Sequence, residues 1–390
     1  MRETVVTGLG VMSPFGAGTK AYWAGLAAGA CAIRPLTLFE TTGFRCGIAG
    51  EVPEIAGGSP RRTRADRLAL IAAGEALDDA GLETSERREA ALVVGAVGGG
   101  MFEAETWYWA RARREAGRPN ALRTMLPGSH AAALAHRLRL QGPCQTVVTA
   151  CSSGAVALAE AADLVAEGVV DVALAGGVDA LTRLCFMGFN ALKLLDPEPC
   201  RPFDRDRRGM SIGEGAAFVV LEAAEHARAR GARIYAELGG YGMTTDAFHV
   251  TSPHPDGEGM ARAMQAALDT ASVPASAVGY VNSHGTATPQ NDRIEAQAIA
   301  RVFGAGGVLV SSTKSMIGHA MAASGSLEAV ATILSLVHDL LPPTASLVTP
   351  DPEVAFDCLP GSAREAAVEC AISNSFGFGG QNVTLLFQRA

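Results

Sequence analysis

An α/β fold is predicted by three features of the sequence. Short β-branched runs alternate with longer helical stretches of small residues, a strand–helix–strand unit is legible between residues 144 and 180, and glycines cluster at strand ends. Glycine occurs 45 times, against about 27 expected from a usage of roughly 7%. No Gly-X-Y period or low-complexity block absorbs the excess, so the glycines read as turns and as places of close backbone approach.

The elements follow in order. Thr4–Gly8 reads as a first strand, running into the loop Leu9–Pro14. Arg67–Ala80 reads as a helix stopped by Gly81, and Ala91–Val97 as a strand entering Gly98-Gly99-Gly100. Gln145–Thr149 is a strand, Ser152–Glu167 a helix that is apolar nearly all round, and Val169–Ala175 a second strand; a βαβ unit makes those two strands parallel. Later come strand Val278–Asn282, a helix near Arg293–Val302, strand Val308–Ser312 and a helix near Ser326–His338. Pro342-Pro343 breaks the chain, and strands near Glu369–Ser373 and Val383–Phe387 close it. Both halves run strand, loop, small-residue helix, with a seam near residues 230–245.

The chain has 390 residues, of which 48% are hydrophobic and 18% charged, enough for a large buried core. A net charge of −8 argues against nucleic acid as the main partner. Three basic clusters (Arg61, Arg62, Arg64 and Arg67; Arg111, Arg113 and Arg114; Arg205, Arg207 and Arg208) each read, taken alone, as solvated faces. The eight cysteines have irregular spacing and no CxxC. The N-terminus lacks a basic start and a long apolar core, and no apolar run approaches the ~18 residues of a membrane span. A reducing cytoplasm with free thiols is the expected setting.

Cys151 stands where a strand ends and a buried helix begins, in Thr149-Ala150-Cys151-Ser152-Ser153-Gly154. A helix N-terminus favours the thiolate and offers backbone N–H groups to an oxyanion, the strand–turn–helix logic of a nucleophile elbow. His284 follows strand 278–282 and His319 follows strand 308–312, so all three reach the same rim of a parallel sheet. Zinc ligation is disfavoured because neither CxxC nor HxxxH occurs, and a Cys-His hydrolase leaves the second histidine without a role. The turn Ser373–Asn382 joins two strands instead of opening a helix, so it is no phosphate loop; Phe376 and Phe378 suggest an apolar wall.

These residues carry a resemblance. TVVTACSSG at 146–154, VNSHGTATP at 281–289, SSTKSMIGH at 311–319 and NSFGFGG at 374–380 resemble, over essentially the whole chain, the two-histidine β-ketoacyl-acyl carrier protein synthases. The resemblance implies the thiolase fold: two related halves, residues 1–235 with the cysteine and 236–390 with the histidines, forming a five-layer αβαβα sandwich. It implies decarboxylative condensation of malonyl-carrier protein with an acyl group on Cys151, elongating a fatty-acid or polyketide/polyene chain without a required cofactor. His284 and His319 would bind the malonyl thioester oxygen, Lys314 would set the local electrostatics and Glu328 would support the loops. Phe378 would gate the site and share an oxyanion hole with Cys151, and Thr286, Thr288, Phe376 and Gly379 would contact substrate. Arg61, Arg62 and Arg64 would dock acyl carrier protein, and Asn282, Glu328, Ser373 and Asn374 match positions of a structural Na+ or K+.

Some positions depart from the fatty-acid pattern. Gln290-Asn291-Asp292-Arg293 is closer to type II polyketide or polyene ketosynthases, Arg208-Gly209-Met210 replaces a common Asp-Gly-Phe, and the loop Leu195–Arg201 is short. NSFGFGG, in contrast, matches the fatty-acid branch. A homodimer and a heterodimer with a chain-length-factor homologue both remain open. A non-condensing chain-length-factor-like subunit is disfavoured by Cys151 and both histidines. A thiolase is disfavoured by Asn374-Ser375-Phe376 where its second cysteine would lie.

Overall fold

A computed structural model describes residues 2–53 and 62–390. Its framework is a set of long buried strands: β1 (Thr4–Ser13), β2 (Ala91–Ala96), β3 (Cys144–Val147), β4 (Val172–Asp179), β5 (Gly215–Ala223), β6 (Ala236–Thr245), β7 (Val278–Asn282), β8 (Leu309–Ser311), β9 (Cys370–Gly377) and β10 (Gln381–Gln388). The helices that position the site are α1 (Arg64–Asp79), α2 (Met101–Ala112), α3 (Gly128–Leu138), α4 (Ser153–Ala166), α5 (Arg183–Ala191), α6 (Glu258–Ala271), α7 (Pro289–Phe303) and α8 (Ser324–His338).

One topology is used twice. The first five strands run β3-β2-β4-β5-β1 across the sheet and the last five run β8-β7-β9-β10-β6. In each set the first three are mutually parallel and the remaining pairings antiparallel. The two sets join where β1 meets β6, pairing Val5 with Glu237 and Val6 with Ala236. The βαβ unit expected at 144–180 does form parallel strands, but β2 lies between β3 and β4.

The layers follow from which faces are apolar. α1 and α3 cover one sheet, α6 and α7 cover the other, and α4 and α8 lie between the two. A central helix meets protein on every side, which is why α4 and α8 are small and apolar nearly all round. Where they cross, a Cβ on Gly154 would come 2.7 Å from the Ala322 carbonyl oxygen, and one on Gly325 would come 2.8 Å from the Ala155 Cβ. The sandwich is therefore the five-layer αβαβα arrangement.

The expectation that no segment reaches membrane-span length needs correction. Met321–His338 has 18 residues of mean hydropathy 1.3, but 83% of it is buried between the two sheets. All eight cysteines are unpaired, in line with the expected free thiols.

Candidate active site

Cys151 lies in a short 3₁₀ turn, Ala150–Ser152, which feeds directly into α4. Ala150 is held at φ 51°, a left-handed conformation that costs a residue with a Cβ and marks an over-determined turn. Three side-chain bonds pay for it: Ser153 Oγ donates to the Ala150 carbonyl at 2.7 Å and accepts from the Thr149 N–H at 2.9 Å, while Ser152 Oγ donates to the Thr149 carbonyl at 2.8 Å. The end of β9 presses on the same turn. A Cβ on Gly377 would sit 3.0 Å from the Thr149 carbonyl oxygen and 3.3 Å from the Cys151 nitrogen. That approach brings the Phe378 N–H to the sulfur, where it favours the anion.

Burial nonetheless dominates. It pushes the Cys151 thiol up to about 11, against the Phe378 N–H and the Lys314 charge, which favour the thiolate. The thiolate expected from the helix terminus alone is therefore corrected: the resting group is a thiol. Below that value the thiolate fraction grows tenfold per pH unit, so alkylation of Cys151 by iodoacetamide should rise about tenfold per unit from pH 7 to 10. A rate that levels off near pH 8 would contradict this.

The histidines come from loops after β7 and β8. The His284 and His319 rings meet edge-on with centroids 5.3 Å apart, and both are buried. Burial, reinforced by Lys314, holds each imidazole well below its ordinary range, so both are neutral. Their tautomers follow from their partners. Lys314 Nζ lies 3.4 Å from His284 Nδ1, and an ammonium can only donate, so Nδ1 accepts and Nε2 carries the proton. Ser324 Oγ lies 2.8 Å from His319 Nδ1 and can play the same part. Behind them Lys314 pairs with Glu328, whose carboxyl burial raises to about 7 against the pull of Lys314.

Sequence reasoning missed the groups that hold the His284 loop. Glu295 of α7 accepts the N–H of His284 at 2.7 Å and of Gly285 at 2.8 Å. Asp292, one turn earlier, accepts the N–H of Ala287 at 3.1 Å and of Phe203 at 2.8 Å. Burial raises Glu295 to about 7. Asp179, at the end of β4, similarly ties Gly98 and Ala322 together. The spacing of Asp292 and Glu295, three residues apart at a helix start, was the available signal.

Cys151, His284, His319, Thr286, Thr288, Phe376 and Phe378 line one cavity of about 300 Å³, completed by Phe189, Leu194, Met210 and Met260. Thr286 and Thr288 share a 2.9 Å hydrogen bond at its wall, and Phe378 packs on Phe189 at 5.9 Å. Lys314 and Glu328 stand behind the histidines. Gly379 does not join them: it is exposed, its N–H donates to the Val250 carbonyl at 2.9 Å, and it lies off the cavity wall.

The expected docking arginines separate. Arg61 lies outside the described residues. Arg62 is half-buried in a groove with Phe102 and Trp107. Arg64 is a correction: it is buried, with Nε donating to Glu214 at 2.8 Å and a terminal nitrogen to the Val52 carbonyl at 2.8 Å, so it has no face to offer a partner.

The expected cation positions are partly suited to one. Asn282 Oδ1, Ser373 Oγ and Glu328 Oε2 are buried without hydrogen-bond partners, and Asn282 and Ser373 are register neighbours on β7 and β9. The Asn374 side chain is not free, since its Oδ1 accepts from Thr384 Oγ at 2.7 Å.

Known proteins share this arrangement. The family models for the N-terminal and C-terminal domains of beta-ketoacyl synthase match residues 1–227 and 235–348. The chain is 41% identical to 3-oxoacyl-[acyl-carrier-protein] synthase 2 of Vibrio cholerae, covering 100% of this chain and 99% of that protein. The ishigamide ketosynthase/chain length factor structure superposes with a TM-score of 0.96 at 38% identity, covering 100% and 99% of the two chains. A type II polyketide ketosynthase solved with its acyl-carrier protein (AntDE:AntF) gives 0.93 at 31% identity, covering 100% of each. With the nucleophile, both histidines and the fold in place, the chain belongs to the β-ketoacyl synthase family.

Proposed function

We propose that the protein condenses malonyl-carrier protein, with loss of carbon dioxide, onto an acyl group held by Cys151. The observation that carries this reading is the convergence of one buried thiol and two neutral imidazoles on a single cavity. The Cys151 sulfur attacks the acyl-carrier thioester, the N–H groups of Cys151 and Phe378 hold the oxyanion, and the carrier thiol leaves with the proton. Malonyl thioester then replaces it. Its C–C bond to the carboxylate breaks, carbon dioxide departs, and the electron pair moves onto the thioester as an enolate. The Nε2–H groups of His284 and His319 donate to that enolate oxygen, and no proton needs to move. The enolate carbon attacks the Cys151 thioester, the cysteine thiolate leaves as the ketoacyl chain forms, and a proton from solvent returns it to the resting thiol. Mass spectrometry of the protein with acyl- and malonyl-carrier protein tests this. An acylated Cys151 without any ketoacyl product would leave a transferase and overturn the reading.

Asn282, Ser373 and Glu328 would hold a sodium or potassium ion, which would balance the buried Glu328 carboxylate.

The working unit in this reading is a dimer with a second copy or a homologue lacking the cysteine. β3 ends the strand order among the described residues, Val148 just after it is exposed, and Tyr108, Trp109, Leu122, Met125 and Leu126 are exposed apolar side chains as well. Replacing both Leu126 and Val148 by Asp should convert a dimer to a monomer in sedimentation, whereas an unchanged mass would exclude this face.

A further inference from the structure

Two residues that carry a Cβ are held in left-handed conformation beside the catalytic groups. Ala150, before Cys151, is one. Met321, at φ 53°, is the other, and it opens the 3₁₀ turn Met321–Ala323 that joins His319 to α8. Such a turn persists only where its surroundings over-determine it. Ser326 Oγ donates to the Ala323 carbonyl at 3.0 Å. The Ala322 N–H is held from the other five-strand set: Asp179, buried at the end of β4, accepts it on Oδ2 at 3.1 Å and accepts the Gly98 N–H on Oδ1 at 2.7 Å. The Ala322 carbonyl is confined as well. A Cβ on Gly177 of β4 would come 2.5 Å from its oxygen, and one on Gly154 of α4 would come 2.7 Å from it. Ala322 is therefore gripped on both its peptide groups, by β4 and by the first turn of the helix that follows Cys151.

We infer that Asp179 is a positioning residue for His319, holding the turn that sets the ring against Cys151; this rests on the condensing reading above. The route is short. Asp179 fixes the Ala322 N–H, Ser324 follows two residues later, and Ser324 Oγ lies 2.8 Å from His319 Nδ1. A turn released at Ala322 relaxes from the left-handed Met321 and takes Ser324, and with it the imidazole, away from its place in the cavity. The same carboxylate holds Gly98 at the end of β2, where a Cβ would come 2.7 Å from Asp179 Oδ1.

A buried carboxylate is a costly way to hold two backbone groups. Burial raises Asp179 to about 6, against the N–H groups of Ala322, Gly98 and Gly99, so it is ionised at pH 7. Its charge also adds to burial in raising the Cys151 thiol, which works against the nucleophile. What it supplies in return is two acceptor oxygens on one short side chain, where an asparagine has a single one. Hydrogen bonds to an ionised acceptor are the stronger kind, which suits a strained turn. The titratable groups that face it are Cys151, Cys185 of α5 and His130 of α3, whose Nδ1 is taken up by Asp66 at 2.6 Å.

The test is a double-mutant cycle read by carbon dioxide release from labelled malonyl-carrier protein. Asp179→Ala should lower kcat about tenfold with little change in KM, the scale of one lost bond to a charged group, and Asp179→Asn should recover part of that loss. In a His319→Ala chain the same substitution should cost at most about twofold more, because the ring it places is gone. Wild-type release should also fall below about pH 6, as protonation turns one acceptor oxygen into a donor hydroxyl, and Asp179→Asn should lack that step. The step is then the carboxyl's and not an imidazole's. A full tenfold loss in the His319→Ala chain, or equal losses of Cys151 acylation and decarboxylation, would overturn the inference and leave Asp179 a residue of the fold. Where Asp179→Ala does not fold, the isosteric Asp179→Asn runs through the same cycle, and failure of both to fold would overturn it too. No carbon dioxide from wild type would refute the condensing reading alone. The His319 imidazole signal in NMR of histidine-labelled protein needs no turnover: Asp179→Asn should shift it, and an unmoved signal would overturn the inference.

Discussion

Cys151→Ala should eliminate ketoacyl product while leaving decarboxylation of malonyl-carrier protein measurable. The separation follows from where the groups come from. The sulfur sits on the turn before α4, whereas the enolate donors sit on loops after β7 and β8, held by Glu295, Lys314 and Ser324. Removing the sulfur deletes the only thiol that lines the cavity among the described residues, so no acyl chain can be held for attack. In the condensing reading it leaves both histidine donors in place for the enolate oxygen. Alanine fits the space, and the serine bonds that fix the turn do not involve the sulfur. The measurement is product mass spectrometry beside carbon dioxide release from labelled malonyl-carrier protein. Ketoacyl product from Cys151→Ala would remove the cysteine from the mechanism, and loss of decarboxylation with the fold intact would show that the sulfur helps cleave the malonyl bond.

Much of this site was legible because local pattern and long-range geometry agreed. A β-branched run ending in Thr149-Ala150-Cys151, or in Asn282-Ser283-His284, places its last residues at the carboxyl edge of a strand whatever its neighbours are. Strand order was not legible in that way. β2 enters between β3 and β4 because of pairing over tens of residues, and nothing inside the 144–180 unit encodes it. Arg64 misled for a related reason. An arginine among arginines reads as solvated, and only the fold brings Glu214 to it across 150 positions. The Cys151 thiol shows the limit of a local argument, since a helix terminus favours the anion but the surrounding protein, invisible in a ten-residue window, costs it more. Glu295 stayed hidden because it acts through backbone N–H groups of the His284 loop and never faces the cavity.

His319→Ala should lower the decarboxylation rate by about 10²–10³, the usual loss for one preorganised oxyanion donor, with a smaller change in KM. The asymmetry between rate and binding is the informative part. The thioester oxygen of bound malonate is nearly neutral, whereas in the enolate it carries most of a charge, so the Nε2–H bond strengthens as the C–C bond breaks. Burial and Lys314 keep both rings neutral; the Lys314 ammonium puts the His284 proton on Nε2, and Ser324 Oγ does the same for His319 when it donates to Nδ1. Lowering the pH through the ordinary histidine range should therefore not reveal a histidine titration in wild-type decarboxylation. His319→Asn keeps an N–H donor of similar reach and should recover part of the rate that His319→Ala loses, whereas a purely packing role would give the two variants equal rates. Because Ser324 directs the ring without touching substrate, Ser324→Ala should lower kcat by less than His319→Ala and leave KM unchanged. Undiminished decarboxylation in His319→Ala would mean that His284 alone holds the enolate, and the two-donor geometry would have to be abandoned.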